Sequence, residues 1–316
     1  MNGILNIYKE AGFTSFDVIA KLRGILHTRK IGHTGTLDPM AEGVLPVCVG
    51  NATKLCEMLM DHDKVYEARM VLGVTYDTQD ITGNKLTEVL VMSTNNKCQE
   101  NNNAFYVDET SLRNVIASFV GGYEQTPPMY SAKKIDGQKL YDLARAGKEV
   151  ERKSVHVDIY DIEIIGIDLP YVDIRVHCGK GTYIRTLIDD IGKKLSCGAS
   201  MYSLLRTKVG DLDISDSHRL SEVEEMMKNN SIEDVFTSVD SVFEDCRSIV
   251  VPERLCKLLY NGNPLNKQDF DLIDSEFYVN SYGGEKIRVY DYNGQFIAVY
   301  EYIESRNLYK PYRMFM

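Results

Sequence analysis

One segment of the sequence combines residue types that could do chemistry, namely Gly32-His33-Thr34-Gly35-Thr36-Leu37-Asp38-Pro39. Two glycines three residues apart let the backbone turn sharply, and Pro39 pushes Asp38 out of the helical region into an extended conformation. The loop therefore presents the Asp38 carboxylate on a stiff backbone, as a catalytic carboxylate requires. The alternatives are an Asp-Pro turn without chemistry and a hydrogen-bonded structural role for His33.

A second cluster reads Gly179-Lys180-Gly181-Thr182-Tyr183-Ile184-Arg185-Thr186. A lysine between glycines is similar to the end of a phosphate-binding P-loop, but that motif needs Gly-x-x-x-x-Gly-Lys-Ser/Thr, which disfavours a nucleotide hydrolase. A helix that starts near Thr182 would offer free N–H groups and Arg185 to an anion, either a phosphate or a carboxylate such as Asp38. An ordinary helix start with a surface arginine is the alternative.

The third cluster extends from Met129-Tyr130-Ser131-Ala132-Lys133-Lys134 to Arg145. Its basic and aromatic residues are interleaved, as in proteins whose rings stack on single-stranded bases while cations follow the phosphates. The sequence contains no G-x-S-x-G, H-E-x-x-H or G-x-G-x-x-G motif. Nothing in it demands a metal or a cofactor, so we expect none.

The elements that must position these clusters follow from hydrophobic periodicity. Residues 4–8 are predicted to form a strand, and a helix capped by Thr14 or Ser15 follows. A second helix is predicted at 183–195 and a third at 111–120, ended by Gly121-Gly122. Further strands are predicted at 44–49, 66–73, 155–167 and 172–178, with a closing hairpin of 286–292 and 295–302 around Asn293-Gly294.

The formal net charge of -10 argues against nucleic acid at first sight, but the charge is uneven. Residues 211–247 carry 11 acidic and 3 basic residues, whereas 133–153 carry seven Lys or Arg against four Asp or Glu. Residues 175–194 are also locally basic. Local patches decide phosphate binding, so these two basic segments could face a polyanion, with a solvated surface as the alternative.

Length and composition limit the class of protein. The 316 residues correspond to about two domains at roughly 150 residues each. No stretch approaches the ~20 apolar residues of a membrane span, and the first twelve residues lack a signal-peptide core. The seven cysteines are scattered without a C-x-x-C pair. We therefore expect reduced thiols in a cytoplasmic protein that does not enter a membrane.

These clusters, in this order, closely resemble the TruB family of tRNA pseudouridine synthases, the isomerases (intramolecular transferases) that act on uridine 55 of the T-loop. The resemblance spans nearly the whole chain. Besides the first two clusters it includes Asn51-Ala52-Thr53-Lys54-Leu55, Asp63-Lys64-Val65-Tyr66, Asp77-Thr78-Gln79-Asp80 with Gly83, the segment 125–133, and the segment 204–210.

The resemblance implies that Asp38 is the catalytic aspartate, Tyr66 the active-site tyrosine, and Arg185 the partner of the aspartate. Tyr183 and Leu204 would then surround the target base, and His33 would fill the space that the flipped uridine leaves. Contacts to the RNA are expected from Thr36, Lys133, Lys180 and Arg206. One departure from the family is Lys9-Glu10 in place of Lys-Pro, which bears on the rigidity of that turn and leaves the chemistry unchanged.

The fold implied by the resemblance is α/β (α+β), a mixed, largely antiparallel sheet flanked by helices plus a small C-terminal PUA-like β-barrel. The catalytic domain would span 1–247, with a thumb-like RNA-binding insertion at 127–153, and the RNA-binding domain 248–316. The implied partner is the T-arm of tRNA, with no obligatory protein partner, and we expect a monomer because a T-loop has no two-fold symmetry. Three alternatives are a non-catalytic tRNA-binding or RNA-chaperone protein, a guide-RNA-dependent synthase, and a nucleotide hydrolase.

Overall fold

The computed structural model describes residues 1–94, 104–131, 133–135, 137–148, 150–271 and 282–316. The strands, in chain order, are β1 (Gly3–Lys9), β2 (Ile31–His33), β3 (Glu42–Val49), β4 (Lys64–Leu72), β5 (Val74–Tyr76), β6 (Lys85–Glu88), β7 (Leu90–Ser93), β8 (Ala104–Val107), β9 (Tyr123–Gln125), β10 (Lys134–Ile135), β11 (Gln138–Lys139), β12 (Val155–Val157), β13 (Ile159–Asp168), β14 (Tyr171–Cys178), β15 (Ala199–Val209), β16 (Leu212–Asp213), β17 (Arg247–Val250), β18 (Leu265–Asn266), β19 (Lys286–Tyr290), β20 (Phe296–Ile303) and β21 (Leu308–Met314). The α-helices are α1 (Ser15–Ile25), α2 (Cys56–Met60), α3 (Glu109–Ala117), α4 (Leu140–Arg145), α5 (Ile184–Lys194), α6 (Leu220–Lys228), α7 (Glu253–Tyr260) and α8 (Lys267–Asp271).

An eight-stranded sheet carries the site. Its strand order is β1-β3-β15-β4-β14-β13, with β2 beside β3 and β16 beside β15. Every pair in it is antiparallel except β3 and β15, which run parallel and place Gly43 opposite Arg206. The predicted mixed, largely antiparallel sheet with flanking helices is therefore confirmed. The parallel pair brings the segment that follows the Asp38 loop against a strand more than 150 residues later in the chain.

The helices begin where local capping chemistry allows. Thr14 Oγ1 accepts a hydrogen bond from Asp17 N at 3.0 Å and Asp17 Oδ2 accepts one from Thr14 N at 2.8 Å, a capping box that fixes the start of α1. The predicted helix 111–120 instead starts two residues earlier, because the Asp108 side chain accepts from Ser111 N at 2.8 Å. Helix α5 matches its prediction to within one residue at each end.

Two predicted β elements differ from the structure. The segment predicted as one strand at 155–167 forms β12 and β13, and Asp158 O accepts from Gly179 N at 2.9 Å between them. The break lets β12 leave the central sheet and pair with β9. The hairpin between β19 and β20 has a longer turn than the predicted two residues, because Asp291 Oδ1 accepts from both Asn293 N and Gln295 N at 2.9 Å.

Side chains of β1 and β3 alternate between two apolar clusters, as the period of a strand requires. One set packs against α1 and α6 and contains Leu5, Ile7, Leu45, Val47 and Val49. The other includes Ile4 and Cys48 and packs with Leu55, Phe243 and Phe315. The second cluster therefore joins the central sheet to the C-terminal segment.

The C-terminal segment contains a five-stranded sheet of order β17-β19-β20-β21-β18 with α7 packed on it. Within the described residues the ladder is open at β17 and β18, so the predicted small barrel is present as a half-barrel. Lys54 Nζ donates to Met314 O at 2.8 Å and links this sheet to the segment that follows β3. Across the same described ranges, no helix is both long and apolar enough to span a membrane.

Candidate active site

The Asp38 loop connects β2 to β3 and is fixed at several points. Ser15 Oγ accepts from Leu37 N at 2.9 Å and donates to Leu37 O at 3.2 Å, so the start of α1 holds the residue before Asp38. Gly12 N donates to Pro39 O at 2.9 Å, which fixes the residue after it. Held from both sides, Asp38 cannot move far without breaking these bonds.

The Lys9 side chain supports the same loop by hydrogen bonds to its carbonyls. Its side chain is fully buried, and the ammonium donates to Pro39 O at 3.3 Å and to Ala41 O. Burial lowers the pKa of Lys9 to about 8, and the charge of Asp38 opposes that lowering. The Lys9-Glu10 departure therefore leaves the lysine in place, and Glu10 is held instead by an ion pair with Arg219 at 2.5 Å.

Arg185 reaches Asp38 from the first turn of α5. Arg185 Nε lies 2.9 Å from Asp38 Oδ2, and Arg185 Nη2 lies 3.3 Å from Asp38 Oδ1, a two-point contact. The Arg185 side chain is only 6% exposed, whereas that of Asp38 is 34% exposed. One face of the carboxylate is thus open while the guanidinium is enclosed.

The remaining donors of Arg185 are also occupied. Arg185 Nη1 donates to Thr78 O at 3.2 Å and lies 3.5 Å from Asp80 Oδ2, and Nη2 donates to Tyr130 O at 2.9 Å. Two carboxylates therefore share one guanidinium. Because its donors are committed to protein acceptors, Arg185 fits the carboxylate-binding alternative better than the phosphate-binding one.

Asp80 is a site residue to which the sequence analysis gave no role. Its side chain is 5% exposed, and its Oδ1 accepts from Thr78 Oγ1 and Thr82 N, both at 2.9 Å. Gln79 connects the same turn to α5, since its Nε2 donates to Asp189 Oδ2 at 2.9 Å. The available signal was an acidic residue with a threonine two positions away on each side, Thr78 and Thr82, but it did not reveal the buried ion pair.

Tyr66 and Arg206 lie side by side beneath the loop. They are register partners on β4 and β15, and the charge of Arg206 acts on the Tyr66 hydroxyl, whose pKa it lowers. Arg206 is 1% exposed and donates from Nε to Val44 O at 2.7 Å and from Nη2 to Gly35 O at 3.1 Å. A Cβ at Gly43 would lie 2.2 Å from Arg206 O, so only glycine permits this close approach.

The predicted RNA contact of Arg206 does not agree with this burial. The Arg206 guanidinium donates to carbonyls of the Asp38 loop and of the strand that follows it. The parallel pairing of β3 with β15 brings Arg206 next to these carbonyls. Arg206 is therefore a positioning residue of the loop.

Burial and neighbouring charges shift the pKa values of three residues in the site. Burial raises the pKa of Asp38, the Arg185 guanidinium lowers it, and the Asp80 carboxylate raises it further. Burial likewise raises the pKa of Tyr66, with Arg206 opposing. Burial lowers the pKa of His33, and Arg206 lowers it in the same direction. Burial and Arg206 thus favour the neutral histidine and burial favours the neutral tyrosine, whereas the Arg185 guanidinium opposes the protonation of Asp38 that burial favours.

The other predicted residues occupy three kinds of position. Leu204 is buried in the cluster that contains Leu37 and Tyr66, and Tyr183 is half-buried at the start of α5, where Gln125 Oε1 accepts from its N–H at 2.8 Å. His33 ends β2, half-buried, and its Nδ1 has no hydrogen-bond partner among the described residues. Thr36 and Lys133 are exposed. Lys180 is exposed in an ion pair with Asp61 at 2.8 Å.

The structure therefore brings together Asp38, Tyr66, Arg185, Leu204 and Arg206, and adds Lys9 and Asp80 to them. Lys133 and Lys180 stand on the surface outside this group. Of the third cluster, Ala132 and the side chains of Lys134, Lys139 and Arg145 lie outside what the structure describes. In the described ranges no group of three or more His, Cys, Asp or Glu side chains is arranged to hold a metal ion.

Comparison with known proteins gives consistent matches. Residues 23–184 match the model of the TruB family pseudouridylate synthase N-terminal domain, and residues 185–250 match that of the tRNA pseudouridylate synthase B C-terminal domain. The tRNA pseudouridine synthase B of Lachnoclostridium phytofermentans is 49% identical over 324 residues and covers 100% of both chains. That of Clostridium acetobutylicum is 46% identical and covers 83% of this chain and 84% of its own.

Solved structures match at the level of the fold. A structure of an H/ACA RNP bound to a substrate RNA containing 2'-deoxyuridine superposes with a TM-score of 0.67 at 21% identity, covering 99% of this chain and 85% of the other. A Cbf5-Nop10-Gar1 complex gives a TM-score of 0.67 at 22% identity, with coverage of 99% and 85%. The architecture described above is thus that of a mixed α/β pseudouridine synthase.

Proposed function

The chain belongs to the TruB family of pseudouridylate synthases, and we propose that this tRNA pseudouridine synthase isomerises uridine 55 of the T-loop with Asp38 as its nucleophile. The observation that carries the proposal is the Asp38–Arg185 pair, in which an open carboxylate on a fixed loop meets an enclosed guanidinium at 2.9 Å. The guanidinium lowers the pKa of Asp38 and so opposes the protonation that burial favours.

The reaction breaks the C–N glycosidic bond of uridine, turns the uracil, and joins its C5 to the same sugar carbon. The atoms are conserved, so these steps need no redox or group-transfer cofactor. A carboxylate can capture the electron-poor C1' of the sugar, as in glycoside hydrolysis, or add to C6 of the uracil. Both routes need an ionised Asp38 with one side open to substrate, and its side chain is about one-third exposed.

Residues around Asp38 would hold the uracil and remove its proton. Tyr66 and Leu204 form one buried cluster with Leu37, which offers an apolar surface to a base beside the nucleophile. The Tyr66 hydroxyl is the candidate to take the C5 proton, and Arg206 is its register partner on the neighbouring strand. Tyr183 at the start of α5 would close the other side of the uracil.

The target must leave its folded loop, at a cost of a few kcal/mol. His33, kept uncharged by burial and with an unpaired Nδ1, would occupy the space that the flipped uridine vacates. Thr36, Lys133 and Lys180 are exposed and would contact the RNA backbone. The pair of Lys180 with Asp61 is open to solvent, so a phosphate could replace the carboxylate at little cost.

The C-terminal half-barrel would act as a PUA-like RNA-binding module for the outer part of the T-arm. We propose that the enzyme works in the cytoplasm as a monomer without an obligatory protein partner, with the predicted domain boundary between 247 and 248. The close packing of Ile4, Cys48, Phe243 and Phe315 would keep the module fixed relative to the catalytic sheet.

The test uses a tRNA transcript tritiated at uridine C5, with wild type and Asp38→Asn. Release of label to water, mapped to uridine 55 and lost in Asp38→Asn, is the expected result. Tight, salt-sensitive tRNA binding without release would favour the RNA-chaperone alternative. Release that requires an added guide RNA would favour the guide-dependent alternative.

A further inference from the structure

Two thiols lie side by side where β3 passes the start of α2. Cys48 is fully buried on β3, Cys56 is the first residue of α2, and Cys56 packs against the apolar cluster that contains Cys48. Gly32 is the register partner of Cys48, and a Cβ on Gly32 would lie 3.0 Å from Cys56 Sγ. Because Gly32 has no side chain, the Cys56 sulfur occupies the space beside Cys48 on the same face of the sheet.

The two thiols differ in access. Cys48 has 0% exposure, whereas Cys56 is half-buried and lines a groove. The other lining residues are Thr53, Lys54, Glu57, Arg313 and Met314. A small reagent can therefore reach Cys56 from the groove, whereas Cys48 is closed to solvent.

The two thiols also differ in chemistry. The neighbouring Cys56 thiol and burial raise the pKa of Cys48, whereas the neighbouring Cys48 thiol lowers the pKa of Cys56. By contrast, burial raises the pKa of Cys178, Cys197 and Cys246. Since the thiolate is the reactive form, Cys56 is better suited to attack an electrophile than these three cysteines.

We propose that Cys48 and Cys56 form an oxidisable dithiol, in which Cys56 reacts with a hydroperoxide and Cys48 then closes a disulfide. In the first step the Cys56 sulfur attacks one peroxide oxygen and the O–O bond breaks. The sulfur becomes a sulfenic acid, and the other oxygen leaves as water when hydrogen peroxide is the oxidant.

In the second step the Cys48 thiol displaces the sulfenic hydroxyl. An S–S bond forms and the second oxygen leaves as water, so one peroxide and two thiols give one disulfide and two waters. A dithiol reductant reverses the reaction by two thiol–disulfide exchanges and is itself oxidised to a disulfide. The two thiols lie beside Gly32 of β2, the residue before His33. They are separate from the Asp38–Arg185 pair.

The experiment treats the full chain with hydrogen peroxide in a Cys98→Ser background, because Cys98 lies outside the described residues. Remaining thiols are then alkylated and the peptides mapped by mass spectrometry. We expect a Cys48–Cys56 cross-linked peptide that dithiothreitol removes. Without peroxide, Cys56 should alkylate at least about tenfold faster than Cys246, which is also half-buried but has its pKa raised by burial.

Two variants separate the roles of the thiols. Cys48→Ala should leave a sulfenic acid on Cys56 that dimedone traps, and Cys56→Ser should leave Cys48 reduced. A wild-type protein that shows no 48–56 cross-link, or whose Cys56 is oxidised beyond the sulfenic acid without pairing, would overturn the proposal. Equal alkylation rates for Cys56 and Cys246 would also overturn it. All of these tests use protein in which Cys48 and Cys56 are unchanged.

Discussion

Replacing Arg185 by lysine tests whether the site works through the geometry of the guanidinium or only through its charge. Arg185 makes five contacts, two to Asp38 and one each to Asp80, Thr78 O and Tyr130 O. A lysine ammonium has three donors on one atom and no planar fork, so at least two of these acceptors lose their partner. Lysine keeps the positive charge, so the variant isolates the effect of the guanidinium geometry.

The size of the effect follows from those lost partners. Each lost hydrogen bond to a charged group, or each buried carbonyl left unpaired, costs roughly 1–3 kcal/mol. Two such losses give about 2–6 kcal/mol, which corresponds to a rate reduction of roughly 30- to 25,000-fold if they apply to the transition state. The low-pH limb of the rate should stay near its wild-type position, because it is the charge of Arg185 that lowers the pKa of Asp38 and lysine keeps that charge.

The assay is single-turnover tritium release at saturating enzyme, with tRNA binding measured in parallel. Arg175→Lys is a matched control, since Arg175 also joins two carboxylates, Glu67 at 2.8 Å and Glu163 at 2.5 Å, but its side chain is 45% exposed. Exposed pairs contribute about 0–1 kcal/mol, so this variant should keep near wild-type turnover.

Two results would refute the reasoning. If Arg185→Lys keeps more than about one-third of the wild-type rate, charge alone suffices and the fork geometry carries no weight. If binding falls as much as turnover does, Arg185 acts on the RNA and not on Asp38.

Three further predictions concern the groups around the pair. Tyr66→Phe should lower single-turnover release by roughly 10²- to 10⁴-fold with little change in tRNA affinity if the hydroxyl removes the C5 proton, and unchanged release would reduce Tyr66 to a stacking surface. His33→Ala should weaken tRNA binding more than the chemical step, and a loss confined to the saturated single-turnover rate would contradict the space-filling role. The pKa of Lys9 is lowered by burial from 10.5 to about 8, so between these values the unfolded chain holds a proton that the folded protein has released, and stability rises with pH. Lys9→Met should flatten that rise in urea unfolding at about pH 8 and about pH 10, whereas an unchanged slope would show that Lys9 does not titrate there.

Much of the local structure could be predicted from the sequence because its causes are local. The apolar run of β1, the capping of α1 by Thr14 and the spacing of α5 depend on residues a few positions apart. Pro39 likewise restricts the backbone of Asp38, because it is the next residue in the chain. The predictions that failed, such as the single strand 155–167, depended on where the chain pairs next, which neighbours in sequence do not determine.

Residue types and motif order in the sequence determined the family, the Asp38 loop and the choice of Arg185 as its partner. Only the tertiary structure decided that Asp80 shares the guanidinium, that Lys9 supports the loop from below, and that Arg206 is buried under it instead of facing RNA. The physical reason is that the role of a charge depends on its solvent access and its partners. For these residues the partners lie from 30 to more than 150 positions away, so the fold has to bring them together.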